Sequence, residues 1–252
     1  MEIAKGIEAV ELKVTNFTGA ASVIHPTLFR ENGSALLVDA GYPGTLPKIR
    51  SAVRKSGLPL AALGVVIITH HDLDHIGGLK RLRDELPESL AVFSHAEEKP
   101  YIQGELTPIK QTPERLAQRE AQLNTLPIKQ RRTLKALLAT PTATTVDRTL
   151  SDGEFLQYSG GITVIHTPGH TPGHVCLYHH TSKTLVSGDA LNLTDGKLVG
   201  PNPLHTYDLA TALTSLKKLA DFDIENVICY HGGVYQGSGI NQRIAELADG
   251  KY

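Results

Sequence analysis

The chain has no tryptophan, one methionine, two cysteines and an aromatic share of 5% over 252 residues. Binding single-stranded nucleic acid by base stacking needs aromatic faces, and few are present. The formal net charge is -1, so there is no basic excess to draw the chain to polyanions or an anionic bilayer. Neither a nucleic-acid partner nor membrane association is expected. No apolar run approaches the ~20 residues that span a bilayer. The opening MEIAKGIEAVELKV lacks a basic segment followed by an apolar one, so no signal peptide is read there. Cys176 and Cys229 both lie in apolar runs. They are expected to be core thiols, and a reduced, cytoplasmic setting is expected with them.

What is present suits one large globular domain over 1–252, with 40% apolar residues. Short apolar runs bounded by turn residues predict buried strands at 34–41, 63–70, 89–95, 161–167, 174–180, 183–191 and 226–232. A helical pattern over 44–57 ends on a glycine suited to a C-cap. LKRLRDEL (79–86) reads as an amphipathic helix. Leu209, Leu213, Leu216 and Leu219 define another, with Asp208 as its N-cap. Residues 96–142 are basic, proline-punctuated and partly helical, and read as an insertion or lid between two strand-rich halves.

The histidines, twelve in all, are the unusual feature of the composition. In VVIITHHDLDHIGGLKRL a buried strand runs into His70, Asp72, Asp74 and His75, and Gly77–Gly78 then allow a tight turn into a helix. Ligand-capable side chains at a strand end, ahead of a helix, sit on a rigid scaffold facing a cleft. A solvated polar turn would not crowd imidazoles and carboxylates this closely after an apolar strand. Asp39, Asp189 and His231 also end apolar runs, and His170 lies in the turn-rich HTPGHTPGH. These positions are expected to converge on one edge of a sandwich.

The order THHDLDHIGG, TPGHTPGH, SGD and a late His before Gly resembles the metallo-β-lactamase superfamily, from about Ala20 to Gly233. The resemblance implies a mixed α/β fold, a four-layer αββα sandwich with a metal site at the edge between its sheets. It implies that His70, Asp72 and His170 hold a first metal, that Asp74, His75 and His231 hold a second, and that Asp189 bridges them. Asp39 would support the ligands without binding metal. Asp72 stands where the family places a histidine, and its carboxylate shifts the first site from zinc toward manganese or iron. Two divalent ions, zinc by default, are therefore expected.

The implied activity is hydrolysis of a small ester, lactone or thioester by a metal-bridging hydroxide, with Asp74 orienting it and passing a proton. A phosphodiesterase and an iron-dependent oxidoreductase resembling persulfide dioxygenases are the alternatives. Glyoxalase II resembles the chain in several motifs but adds a C-terminal helical region, whereas about twenty residues follow His231 here. The partner would be a small-molecule substrate, and a homodimer is compatible with the sequence. Of the remaining histidines, His71 is expected to point away from the metals. His166 and His174 should be scaffold, His95, His179 and His180 surface residues, and His25 a cleft residue. His205 and Tyr207 follow the Asp189 strand on a loop that could reach a substrate.

Overall fold

In the computed structural model, residues 1–16 and 18–251 are described. The strands are β1 (Glu2–Ala4), β2 (Ile7–Ala9), β3 (Leu12–Thr15), β4 (Ala21–Ile24), β5 (Thr27–Glu31), β6 (Ser34–Val38), β7 (Leu63–Ile68), β8 (Ala91–His95), β9 (Arg148–Leu150), β10 (Phe155–Leu156), β11 (Ile162–His166), β12 (Val175–His179), β13 (Thr184–Val186), β14 (Asn192–Thr194), β15 (Lys197–Val199), β16 (Asn226–Cys229) and β17 (Gly233–Gln236). The helices are α1 (Leu46–Lys55), α2 (Leu73–Ile76), α3 (Leu79–Glu85), α4 (Lys99–Ile102), α5 (Pro113–Thr125), α6 (Ile128–Leu138), α7 (Leu209–Leu216) and α8 (Ile240–Ala248). The two large sheets have the orders β1-β2-β5-β6-β7-β8-β9 and β10-β11-β12-β13-β16-β17, and β3-β4 and β14-β15 form two-stranded sheets beside them.

The uninterrupted apolar runs are explained by sheets buried on both faces. Because side chains alternate along a strand, each run feeds two cores. Val65 and Ile67 of β7 join Val164, Val175, Leu177 and Ile228 between the sheets. Val66 and Ile68 of the same strand pack outward with Ile49 and Val53 of α1 and Leu79 and Leu82 of α3. On the far side, Cys176, Leu185, Val227 and Cys229 meet Leu216 and the α8 residues Ile240, Ile244 and Leu247. Helix, sheet, sheet and helix are thus the four expected layers. Both thiols are free and buried, with burial pushing each up to about 12.

The segment 96–142 does carry helices, but it does not separate two halves. It leaves from β8 and returns to β9, which pairs parallel with β8 in the first sheet. The three residues of β9 are too short a run to show a period. Thr112 caps α5 through its hydroxyl, which accepts from the Arg115 amide at 3.3 Å, with Pro113 opening the helix. Asp208 caps α7 as expected, accepting from the Thr211 amide at 3.0 Å. No described helix is long and apolar enough to cross a membrane.

Candidate metal centre

Parallel pairing puts the ends of β6 and β7 side by side, and those of β13 and β16 likewise. Asp39 follows β6, His70 follows β7, Asp189 follows β13 and His231 follows β16, while His170 lies in the β11–β12 connection. α2 begins directly after Asp72 and carries Asp74 and His75. All seven expected ligands meet at this one edge. His70, Asp72, His170 and Asp189 form one group of donor atoms, and Asp74, His75 and His231 form a second.

The separations define the centre. Asp72 Oδ2 lies 3.3 Å from His70 Nε2 and 3.1 Å from His170 Nε2. Asp72 therefore faces inward with the histidines. Asp189 faces both groups: Oδ2 is 3.3 Å from His170 Nε2, whereas Oδ1 is 3.3 Å from His75 Nε2 and 3.5 Å from His231 Nε2. Asp74 Oδ2 is 3.2 Å from His231 Nε2.

Electrostatics separates the two groups. Burial, with His75 beside it, holds the His70 imidazole well below its ordinary range, so it is a neutral donor. For His231 burial opposes charge, but Asp189 and Asp74 outweigh it and raise the imidazole to about 10. His75 is likewise pulled up against burial by Asp39, Asp189 and Asp74. The carboxylates thus create a demand for positive charge at the second group. His70 Nε2, His75 Nε2 and Asp189 Oδ1 are buried with no hydrogen-bond partner. Orphaned buried donors and acceptors are costly, and these converge among carboxylates and imidazoles. The side chains present fit divalent cations.

The supporting residues fall largely where expected. Asp39 accepts from the Thr69 amide and hydroxyl, both at 2.9 Å, and from His75 Nδ1 at 2.8 Å, fixing that ring with Nε2 inward. His174, kept neutral by burial, accepts the Asp189 amide on Nε2 at 3.1 Å and donates from Nδ1 to Thr167 at 2.8 Å. Gly77 and Gly78 have ordinary helical φ of -60° and -89°. They are needed for close approach rather than for a turn: a Cβ would lie 2.2 Å from Pro43 Cδ at Gly77 and 2.3 Å from the Ala40 carbonyl at Gly78.

Some expectations fail. His179 is buried, its Nδ1 2.7 Å from Ser182 Oγ, because β12 is covered on both faces; His180, the next residue, is exposed. His25 packs on Gly233 and does not line the cleft. His205 does line it, whereas Tyr207 is 58% exposed and lies outside its lining. His95 and His166 stack at 4.0 Å, and His166 Nε2 donates to the Pro172 carbonyl at 2.9 Å.

Four residues of the centre carry no local sequence signal. Glu98, just before α4, is fully buried. One carboxylate oxygen takes the His71 amide at 2.8 Å and the His71 ring. The other takes Thr171 Oγ1 and the Gly173 amide, both at 2.7 Å. It therefore ties the 70–75 loop to the 170–174 loop, which explains why His71 points away from the ligands. Lys110 comes from the insertion and sets its ammonium against Asp72 Oδ2 and 2.7 Å from His170 Nε2. Tyr230 stacks on His75 at 3.8 Å and donates to the Asp74 carbonyl. Tyr42 lines the cleft, its hydroxyl pushed above its ordinary range by burial and by Asp74, Asp189 and Asp72.

Comparisons with known proteins agree with this geometry. The family model described as the Metallo-beta-lactamase superfamily matches residues 21–231. Probable metallo-hydrolase YflN of Bacillus subtilis is 27% identical over 259 residues, spanning 98% of this chain and 92% of that protein. Hydroxyacylglutathione hydrolase GloC of Haemophilus influenzae is 25% identical over 232 residues, spanning 88% of this chain and 94% of that one. A solved metallo-beta-lactamase family protein from Thermus thermophilus superposes with a TM-score of 0.72 at 23% identity, covering 99% of this chain and 80% of its own, a likeness of fold.

Proposed function

Since the chain belongs to the metallo-β-lactamase superfamily, we propose that it is a two-metal hydrolase of a small ester, lactone or thioester. The observation that carries this reading is Asp189, whose two oxygens face separate donor groups as a bridging carboxylate must. His70, Asp72 and His170 would hold one cation, and Asp74, His75 and His231 would hold the other. Zinc is assigned to the pair. The Asp72 oxygen makes the first site harder than an all-histidine set and shifts it toward manganese or iron.

When bound, two divalent cations supply a nucleophilic water at neutral pH and polarise the scissile carbonyl. The protein does the rest. Asp74 projects from α2 with its backbone held by Tyr230, so its carboxylate can take the proton of the attacking water and return it to the leaving group. Asp39, His174 and Glu98 keep the ligand loops in register and so lower the reorganisation the reaction requires. A cleft of about 1040 Å³ opens over these groups and has room for a small substrate. The similarity to GloC supports a thioester among the candidates. As the chain covers 94% of that protein, the length argument against glyoxalase II does not reach it.

The test is reconstitution of chelator-treated protein with zinc or manganese, followed by a panel of lactones, thioesters, aryl esters and phosphodiesters. Turnover of a carboxylic ester or thioester is expected, lost at least 100-fold in Asp74→Asn. Two metals bound with no turnover on any substrate, or oxygen uptake with iron, would overturn the proposal.

A further inference from the structure

The carboxylates lining the cleft are Asp72, Asp74 and Asp189, all assigned above to the metals. Its cationic residues other than histidine are Lys110, Arg115 and Arg119, all from one stretch of the insertion. This sorting follows from helical spacing. Arg115, Gln118, Arg119 and Gln122 recur at i, i+3, i+4 and i+7, share one face of α5 and all line the cleft. Glu120 lies off that face and pairs with Lys135 of α6. α5 thus brings two arginines and two glutamine amides to the cleft, and neither of its acids, Glu114 and Glu120, lines it.

The two arginines are not equivalent. Arg115 is anchored, with Nη2 donating to the Leu204 carbonyl at 3.0 Å across the cleft mouth. Arg119 is half-buried, and no acceptor or carboxylate partners it among the described residues. Desolvating a guanidinium without an anion is unfavourable, and its planar fork matches a carboxylate or phosphate. Leu116 and Leu204 line the same cleft and place exposed apolar surface in it, against which the body of a ligand can lie.

We infer that α5 supplies an anion subsite, in which Arg119, assisted by Arg115, receives a carboxylate or phosphate carried by the substrate. This rests on the hydrolase reading and narrows it: the ester or thioester lies at the metals and the anionic group lies toward α5. Such a substrate is a half-ester or thioester of a diacid, or an acyl derivative of a phosphorylated carrier.

The subsite is tested with matched aryl esters of equal length, one neutral and one ending in a carboxylate, compared by kcat/KM. The charged ester is expected to be preferred, and Arg119→Gln to reduce the charged-to-neutral ratio at least tenfold, chiefly through KM. Arg132→Gln on α6, outside the cleft, removes the same net charge and should leave the ratio unchanged. Binding of monomethyl glutarate, measured by calorimetry in wild type and Arg119→Gln, is the second readout. Lost binding in the variant supports the subsite even if neither ester turns over, in which case the hydrolase reading alone fails. A ratio and an affinity both unchanged in Arg119→Gln would overturn the subsite while leaving hydrolysis intact. A phosphate-bearing ester run alongside tells whether carboxylate or phosphate is the better fit.

Discussion

Lys110 and a cation at the first donor group compete for the same two atoms, so replacing Lys110 by methionine should tighten that site. The ammonium contacts Asp72 Oδ2 and lies 2.7 Å from His170 Nε2, with side-chain exposures of 11% for Lys110 and 20% for Asp72. A metal coordinated by both atoms requires the lysine to leave. A charge-assisted hydrogen bond in such a setting is worth about 1.5–3 kcal/mol. Water at the cleft restores part of the loss, which leaves a displacement cost of about 1–2 kcal/mol. That corresponds to roughly 5- to 30-fold in metal affinity. Calorimetric titration of chelator-treated protein with zinc or manganese should resolve two binding steps in wild type. The weaker step should strengthen by that factor in Lys110→Met, and Lys80→Met, which breaks only an exposed pair with Asp84, should leave both steps alone. Equal affinities for both steps in Lys110→Met and wild type would refute the competition. A similar gain in Lys80→Met would assign the effect to net charge.

Glu98→Ala strands the His71 amide, Thr171 hydroxyl and Gly173 amide, so denaturant melts should show a loss of about 3–5 kcal/mol. Glu98→Gln should be milder yet still weaken metal binding about 10- to 100-fold, since both ligand loops lose a charged tether. Burial opposes ionisation of Glu98, but its hydrogen bonds outweigh that and hold it below 4.5. Its contribution is therefore full above about pH 4.5 and lost as pH falls through the folded-state value. Acid titration of the stability of Glu98→Gln should show a shallower limb below that pH, and an unchanged limb would contradict this. Because His231 titrates at about 10, a metal entering at pH 7.5 must displace its proton; binding enthalpies in two buffers of different ionisation heat should report at least one proton released, and none would refute the assignment. Gly77→Ala should cost about 1–3 kcal/mol because its Cβ meets Pro43, whereas Gly64→Ala, with open space around it, should be near neutral by the same melts.

The sequence by itself determined the strands that bury both faces and the residues that end them. A strand covered on two sides must be apolar throughout, so β6, β7, β13 and β16 stand out as runs, and the polar residue after each is conspicuous. That is why His70, Asp72, Asp74, His75, Asp189 and His231 were legible before any geometry. Short or half-exposed strands such as β1, β9 and β10 carry too few residues to show a period, and the place of the insertion inside the first sheet was hidden with β9. Only the tertiary structure decided what supports the centre. Glu98 meets its partners 27, 73 and 75 residues away, and Lys110 reaches Asp72 across 38. No local pattern encodes contacts of that span, because they depend on where the chain returns. His179 shows the same limit in reverse: beside a predicted hairpin tip it reads as exposed, and β12 buries it because a second layer covers that face.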